Sequence, residues 1–371
     1  MRIQFAQANN TTKTSSAVIL KLETKAGTVS YGESCPRTYV TGESPESVHK
    51  NLKSIEGELY RRSFTALQDI REYVCQQLPQ RIGMAAICAL ETALLDAWAR
   101  ETGTNLVEAL KGNIRGAYRY TGVIPFGDIE KLRPLLTQFR FEEIKMKVGP
   151  DMEKNIFRLE QIREIYGPDI PIRVDANCSW NFAESMQQTT QLIAQKVTCI
   201  EQPFPPAKDW EMKQLTANFG EKIEIMADES LTDFSSALHL IKENACNCFN
   251  LKISKNGGIL NTLRIYELAQ QHGINCRLGA HFGETSILTA AGMVLASVAG
   301  ALKSMEGGLG TYLLEKDICK TPLMIDRDAQ ITGKQLQTCS EAGYLELYGN
   351  FIIQAQVLSI FSRTKFYQKR F

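Results

Sequence analysis

Neither sign of charge prevails in this 371-residue chain: 42 lysines and arginines face 41 aspartates and glutamates, a net of +1. So even a balance leaves no electrostatic footprint for nucleic acid or for an anionic membrane. Histidine is scarce, at four residues, and the ten cysteines include no CxxC pair. Cys246-Asn-Cys248 has no second pair to complete a zinc set. Reduced cysteines in a cytoplasmic protein are therefore expected. No signal peptide is expected either, because residues 1–10 turn polar after Phe5. Only one stretch, 285–302, runs 18 residues without a charge, the lower limit for a membrane span. Its Ala, Gly, Ser and Thr content and its lack of an aromatic belt read instead as a buried helix packed closely on a neighbour. What remains is ordinary for a folded protein, with 44 % apolar and 22 % charged residues. The length suits two domains, or one barrel with an appended module.

The first part of the chain reads as strands followed by helices. Residues 17–23 alternate in part, Lys25-Ala-Gly27 supplies a turn, and 28–33 returns, which is a hairpin pattern. Residues 45–61 and 85–101 carry helical periodicity, the second stopping at Gly103. An α+β module over 1–115 fits. Beyond it, short apolar runs ending in polar residues recur at 118–123, 143–148, 172–175, 199–201, 225–228, 249–252, 276–279 and 304–306. Helix-length segments such as 152–166 and 181–196 separate them. Eight strands with such crossovers imply a parallel sheet, and eight is the number that closes a barrel. Polar strand ends then sit at the C-terminal mouth, where barrel sites are built.

The strand ends supply charges at a nearly constant interval. Lys147 to Asp175 is 28 residues, Asp175 to Glu201 is 26, Glu201 to Asp228 is 27, and Asp228 to Lys252 is 24. Each interval is about one strand–helix unit, so these residues converge on one mouth. Lys145 joins them, since i and i+2 on a strand share a face. Asp175, Glu201 and Asp228 form an oxygen-only ligand set that suits Mg²⁺ rather than zinc or copper. Removing a proton α to a carboxylate builds two negative charges on adjacent oxygens, which a divalent ion and an ammonium stabilise in a dry site. The second ammonium of Lys145-Met-Lys147 is expected to lower the pKa of Lys147 by like-charge repulsion. Lys252 can face the opposite side of the bound carbon.

The ordered set Lys145-Met-Lys147, Asp175-Ala-Asn177, Glu201-Gln-Pro203, Ala227-Asp-Glu-Ser230 and Asn250-Leu-Lys252 with Gly257-Gly258 resembles the enolase superfamily, in its muconate-lactonizing subgroup. Tyr31-Gly-Glu33 and Tyr39-Val-Thr-Gly-Glu43 extend the likeness into the front module. The resemblance implies a (β/α)7β TIM-type barrel over 116–317 and an α+β capping domain over 1–115, completed by 318–371. It implies Mg²⁺ on Asp175, Glu201 and Asp228, acid–base lysines Lys147 and Lys252 on opposite faces, and Lys145 at the substrate carboxylate. Asn177 and Glu229 would orient the ligands. Cap loops at 7–14 and 37–41, carrying Arg37 and Tyr39, would close over a small carboxylate substrate, and a homo-oligomer is expected.

Two departures stand out. Members of the family usually open with a cap strand before the stretch seen here as 2–16, and 350–371 has the texture of that strand, so a circular permutation within the cap is expected, with a simple C-terminal extension as the alternative. At the end of the eighth strand, where dipeptide epimerases carry Asp-x-Asp for a substrate ammonium, this chain reads Met305-Glu306-Gly307-Gly308. Glu306 supplies one carboxylate for a cationic group. His281 and Glu284, after the seventh strand, are expected near the substrate. Racemisation or epimerisation of an amino-acid derivative or dipeptide is the leading reading. β-Elimination or cycloisomerisation, as in o-succinylbenzoate synthases and muconate cycloisomerases, uses the same site, and a non-catalytic binding protein is the reading from a different class.

Overall fold

The computed structural model describes residues 5–7, 10–12, 16–308, 310–341 and 358–359. The expected hairpin is present as β1 (Val18–Glu23) and β2 (Val29–Ser34), paired antiparallel with Ile19 opposite Glu33. Helices α1 (Pro45–Leu59) and α2 (Met84–Thr102) cover it. Ser44 caps α1 ahead of Pro45, and Gly103 ends α2 in a left-handed conformation at φ 64°. In Tyr31-Gly-Glu33 the glycine is a packing requirement, because a Cβ at Gly32 would collide with the Ala89 carbonyl of α2.

The remaining elements alternate along the chain. They are β3 (Gly122–Ile124), α3 (Ile129–Leu136), β4 (Ile144–Lys147), α4 (Met152–Tyr166), β5 (Ile172–Asp175), α5 (Phe182–Ala194) and β6 (Val197–Glu201). Then follow α6 (Asp209–Phe219), β7 (Glu224–Ala227), α7 (Phe234–Glu243), β8 (Cys248–Leu251), α8 (Ile259–Gln271), β9 (Asn275–Leu278), α9 (Ser286–Val298) and β10 (Leu302–Met305). The eight strands β3 to β10 form one parallel sheet in sequence order. It curls until its first and last strands approach, where Thr121 N–H donates to the Met305 carbonyl at 2.8 Å. The register sets Lys147 opposite Asp175 and Asp175 opposite Glu201, so three charged strand ends stand level.

One expected strand needed correction. Residues 118–123 do not form a single strand: Ala117–Arg119 pairs antiparallel with Gln330–Thr332, and only Gly122–Ile124 enters the sheet. The chain turns between the two because Tyr120 N–H is taken by the Ala329 carbonyl and Thr121 N–H by β10. The charge-free stretch at 285–302 holds α9, buried on all sides from Ser286 to Ser297. No helix among the described residues is long and apolar enough to cross a membrane. Nine cysteines are free among the described residues. Most of the C-terminal tail and the first four residues lie outside the described residues. Leu358–Ser359 runs parallel beside β1, with Leu358 opposite Leu20.

Buried glutamates join the front module to the curled sheet. Glu33 accepts the Thr285 N–H at 2.9 Å, the Thr285 hydroxyl at 2.6 Å and the Leu288 N–H at 3.1 Å, capping α9. Glu91 does the same for α8, accepting from Ile259 N at 2.7 Å and Leu260 N at 2.6 Å. Gly258, at φ 98°, precedes α8 where any Cβ would strike the Glu91 carboxylate. Burial, opposed by these donors, pushes the Glu33 carboxyl up to about 7 and Glu91 up to about 8. Glu33→Ala leaves three buried donors unpaired, so a loss of about 2–4 kcal/mol of unfolding free energy is expected in denaturant titration. Glu33→Gln, which keeps one acceptor, should lose less.

Candidate active site

At the mouth of the curled sheet, Asp175 and Glu201 end β5 and β6, and Asp228 follows β7. One oxygen from each of the three lies within 4.8 Å of the others, and all three residues are buried. Like charges at that spacing need partners, and lysines supply them. Lys147 Nζ contacts Asp175 Oδ2 at 2.6 Å and Asn177 Oδ1 at 2.8 Å. Lys252 Nζ contacts Asp228 Oδ2 at 2.6 Å. These lysines stand on strands four apart in a ring of eight, so their amines reach the cluster from opposite sides. Lys145 Nζ bridges Asp175 at 2.9 Å, Glu201 at 2.7 Å and Glu306 at 3.2 Å.

The carboxylates set the electrostatics of Lys145. Burial would lower the Lys145 ammonium, but Asp175, Glu201 and Glu306 outweigh it and hold it well above the ordinary lysine value. Lys252 is likewise raised, since Asp228 more than offsets burial. Asp228 falls well below the carboxylate range because Lys252 and Lys255 overcome its burial. Glu201, buried and beside the Asp175 charge, is pushed up to about 8.

Supporting groups fix these carboxylates. Asn250 Nδ2 donates to Glu201 Oε1 at 2.7 Å. Gln202, with φ 37°, accepts the N–H groups of Asp228 and Ser230 at 2.8 and 3.1 Å. Asn177 donates to Glu229 at 3.1 Å, joining the two residues expected to orient the ligands. Arg173, fully buried beneath the cluster, contacts Glu306 Oε1 at 2.5 Å. Glu306 is therefore already met by two cations of the chain itself. Glu284 accepts the His281 N–H at 2.6 Å. Arg37 donates to the carbonyls of Ser16, Pro36 and Phe282. Tyr39, half exposed, lines the mouth cavity with Lys145, Lys147, Lys252, His281 and Glu306.

Would these residues hold a metal ion? Their donors are all oxygen, and Glu201 Oε2 is buried without a hydrogen-bond partner among the described residues. Three converging carboxylates, one with a buried oxygen that accepts no hydrogen bond, fit a hard divalent cation such as Mg²⁺.

Comparison with known families places this arrangement. Residues 129–332 match the enolase C-terminal domain-like family, and 1–110 match the N-terminal domain of mandelate racemase / muconate lactonizing enzyme. The chain belongs to the enolase superfamily. It is similar to a hydrophobic dipeptide epimerase of Enterococcus faecalis, 29 % identical over 79 % of this chain and 82 % of the relative. Muconate cycloisomerase 1 of Acinetobacter baylyi is 28 % identical over 85 % of this chain and 86 % of the relative. The crystal structure of muconate lactonizing enzyme from Pseudomonas fluorescens superposes with a TM-score of 0.80 at 28 % identity, over 89 % of each chain. As in these enolase-superfamily relatives, the chain is an enzyme, which sets aside the non-catalytic reading.

Lys255 and Arg173 were not singled out in the sequence. Arg173 precedes Asp175 by two, so the alternation that marks Lys145 would have marked it. Lys255 lies one helical turn past Lys252 in Ile253–Asn256. Its ammonium donates to Asp228 O at 2.6 Å, Asp228 Oδ1 at 2.7 Å and Asn250 O at 3.1 Å, which uses all three N–H groups. It is a counter-charge to Asp228 and is not among the residues lining the mouth cavity. Lys255→Met should cost about 3 kcal/mol in thermal or chemical unfolding, because buried acceptors lose their donor while the volume stays filled.

Proposed function

We propose that this enolase-superfamily chain racemises or epimerises an amino-acid derivative or dipeptide by moving the proton α to its carboxylate. The observation that carries the reading is the pair Lys147 and Lys252, whose amines flank the carboxylate cluster from opposite sides and line one cavity. One lysine, neutral, takes the α-proton while the C–H electron pair delocalises into the carboxylate. The other, as an ammonium, returns a proton to the opposite face, forming the new C–H bond and inverting the centre. The roles exchange with the direction of reaction. Lys145, which has no freedom to leave its three carboxylates, supplies fixed positive charge beside the substrate carboxylate. Asp175, Glu201 and Asp228 would hold Mg²⁺, which when bound adds positive charge where negative charge builds up. Asn177 and Glu229 hold the Lys147 and Asp175 side of the cluster in place. Residues 1–115 with 318–371 form the cap in this reading, and 116–317 the catalytic barrel.

Likeness to muconate cycloisomerase supports a second reading, cycloisomerisation or β-elimination, in which one lysine handles the proton and the other acts through its charge alone. Solvent deuterium separates the two. A racemase places deuterium at Cα of both enantiomers, whereas an eliminating enzyme loses water and forms an absorbing product. Lys147→Ala and Lys252→Ala should each abolish racemisation, each retaining exchange from one enantiomer, the opposite one in each variant. Equal residual turnover of both enantiomers in both variants would contradict the two-base assignment. Glu201→Gln should weaken Mg²⁺ binding at least tenfold by calorimetry, and an unchanged affinity would remove Glu201 from the ligand set.

A further inference from the structure

His281 is 7 % exposed, lines the mouth cavity with both lysines, and is held from two directions. Its backbone N–H donates to Glu284 at 2.6 Å, and its ring Nδ1 lies 2.8 Å from the Cys35 carbonyl. A carbonyl can only accept, so Nδ1 carries a hydrogen, and in the neutral ring Nε2 then carries the lone pair. That Nε2 is buried and has no hydrogen-bond partner among the described residues. Burial, then the neighbouring charges of Lys252 and Arg37, hold the ring well below the ordinary histidine value and keep it neutral. A buried acceptor with a fixed tautomer facing a substrate cavity is a built hydrogen-bond position awaiting a donor.

The rest of the cavity narrows what that donor is attached to. Leu132, Leu135 and Leu136 of α3, with Phe139, Phe141 and Tyr312, make a continuous apolar wall. The rings of Phe139 and Tyr312 meet edge to face at 5.1 Å. None of these six residues carries a charge, and the charged residues lining the cavity come from the strand ends and the loops that follow them. Glu306, the one acid ending the eighth strand, is already neutralised by Arg173 and Lys145.

We propose that His281 Nε2 accepts the amide N–H of the substrate, and that this site selects N-acylated amino acids with a large apolar substituent. The proposal rests on the racemase reading for its α-carbon chemistry, but the His281 contact is a binding event that can be measured without turnover. An ester analogue, with oxygen in place of the N–H, has the same shape and no donor. It sets two lone pairs against each other at Nε2 and is rejected for that reason.

The test compares N-acetyl-leucine with 2-acetoxy-4-methylpentanoate, its ester analogue, by calorimetry on the Mg²⁺-loaded full chain. The wild type should bind the amide about tenfold more tightly. In His281→Leu that gap should close to within about twofold. His281→Gln, which keeps a carbonyl acceptor, should restore part of it, and thermal melting checks that each variant is folded. Equal affinity for amide and ester in the wild type overturns the proposal, as does a gap that survives in His281→Leu. N-acetyl-leucine should also bind more tightly than N-acetyl-aspartate, whose second carboxylate would meet the apolar wall, and the reverse order overturns the substrate class. Deuterium exchange at Cα of the same amide is scored separately. Amide-selective binding without exchange leaves His281 as the acceptor and sinks the racemase reading, whereas exchange without amide selectivity does the opposite.

Discussion

Three carboxylates buried within 4.8 Å of one another would push each other apart or take up protons if nothing opposed them. The chain opposes them with five cations, each delivered by a strand or by the turn that follows it. Lys145 and Lys147 come from β4, Arg173 from β5, Lys252 from the end of β8, and Lys255 from the short helix beyond. The division of labour among them is unequal. Lys255 has all three donors engaged, and Lys145 spans three acids, so both are held as fixed charge. Lys147 and Lys252 each make one ion pair and line the cavity, which is why the proposed reaction gives the proton transfers to them.

Much of this was legible in the sequence because it depends on period. A strand–helix unit of 24 to 28 residues brings successive strand ends to one rim, so charged residues at that interval had to converge. The two-residue period of a strand then placed Lys145 beside Lys147. Arg173 obeys the same rule, two residues before Asp175 on β5. Lys255 does not. It belongs to a four-residue helix whose direction only the three-dimensional turn after β8 decides. The split of 118–123 was equally unreadable, since it depends on residues 326–332 returning from far along the chain to pair with Ala117–Arg119.

The charge state of Lys145 is set by neighbours that sequence spacing cannot supply. Repulsion from the adjacent ammonium and attraction from every nearby anion add together. Here Lys145 has three carboxylate contacts between 2.7 and 3.2 Å, and those attractions dominate. The motif Tyr31-Gly-Glu33 was read as a family mark, and the structure gives it a cause. The glycine allows the strand to approach α2, and the glutamate caps the helix that follows the seventh strand of the sheet.

The backbone carbonyl of Cys35 comes from just past β2, yet it decides which nitrogen of His281, on the far side of the chain, bears hydrogen. The front module thus sets the donor–acceptor polarity of a wall that belongs to the curled sheet. Exchanging front modules between relatives would therefore transplant more than a neighbouring domain: a hybrid whose incoming loop placed an N–H at that point would turn the neutral imidazole's outward nitrogen from acceptor to donor without altering a single residue of the barrel.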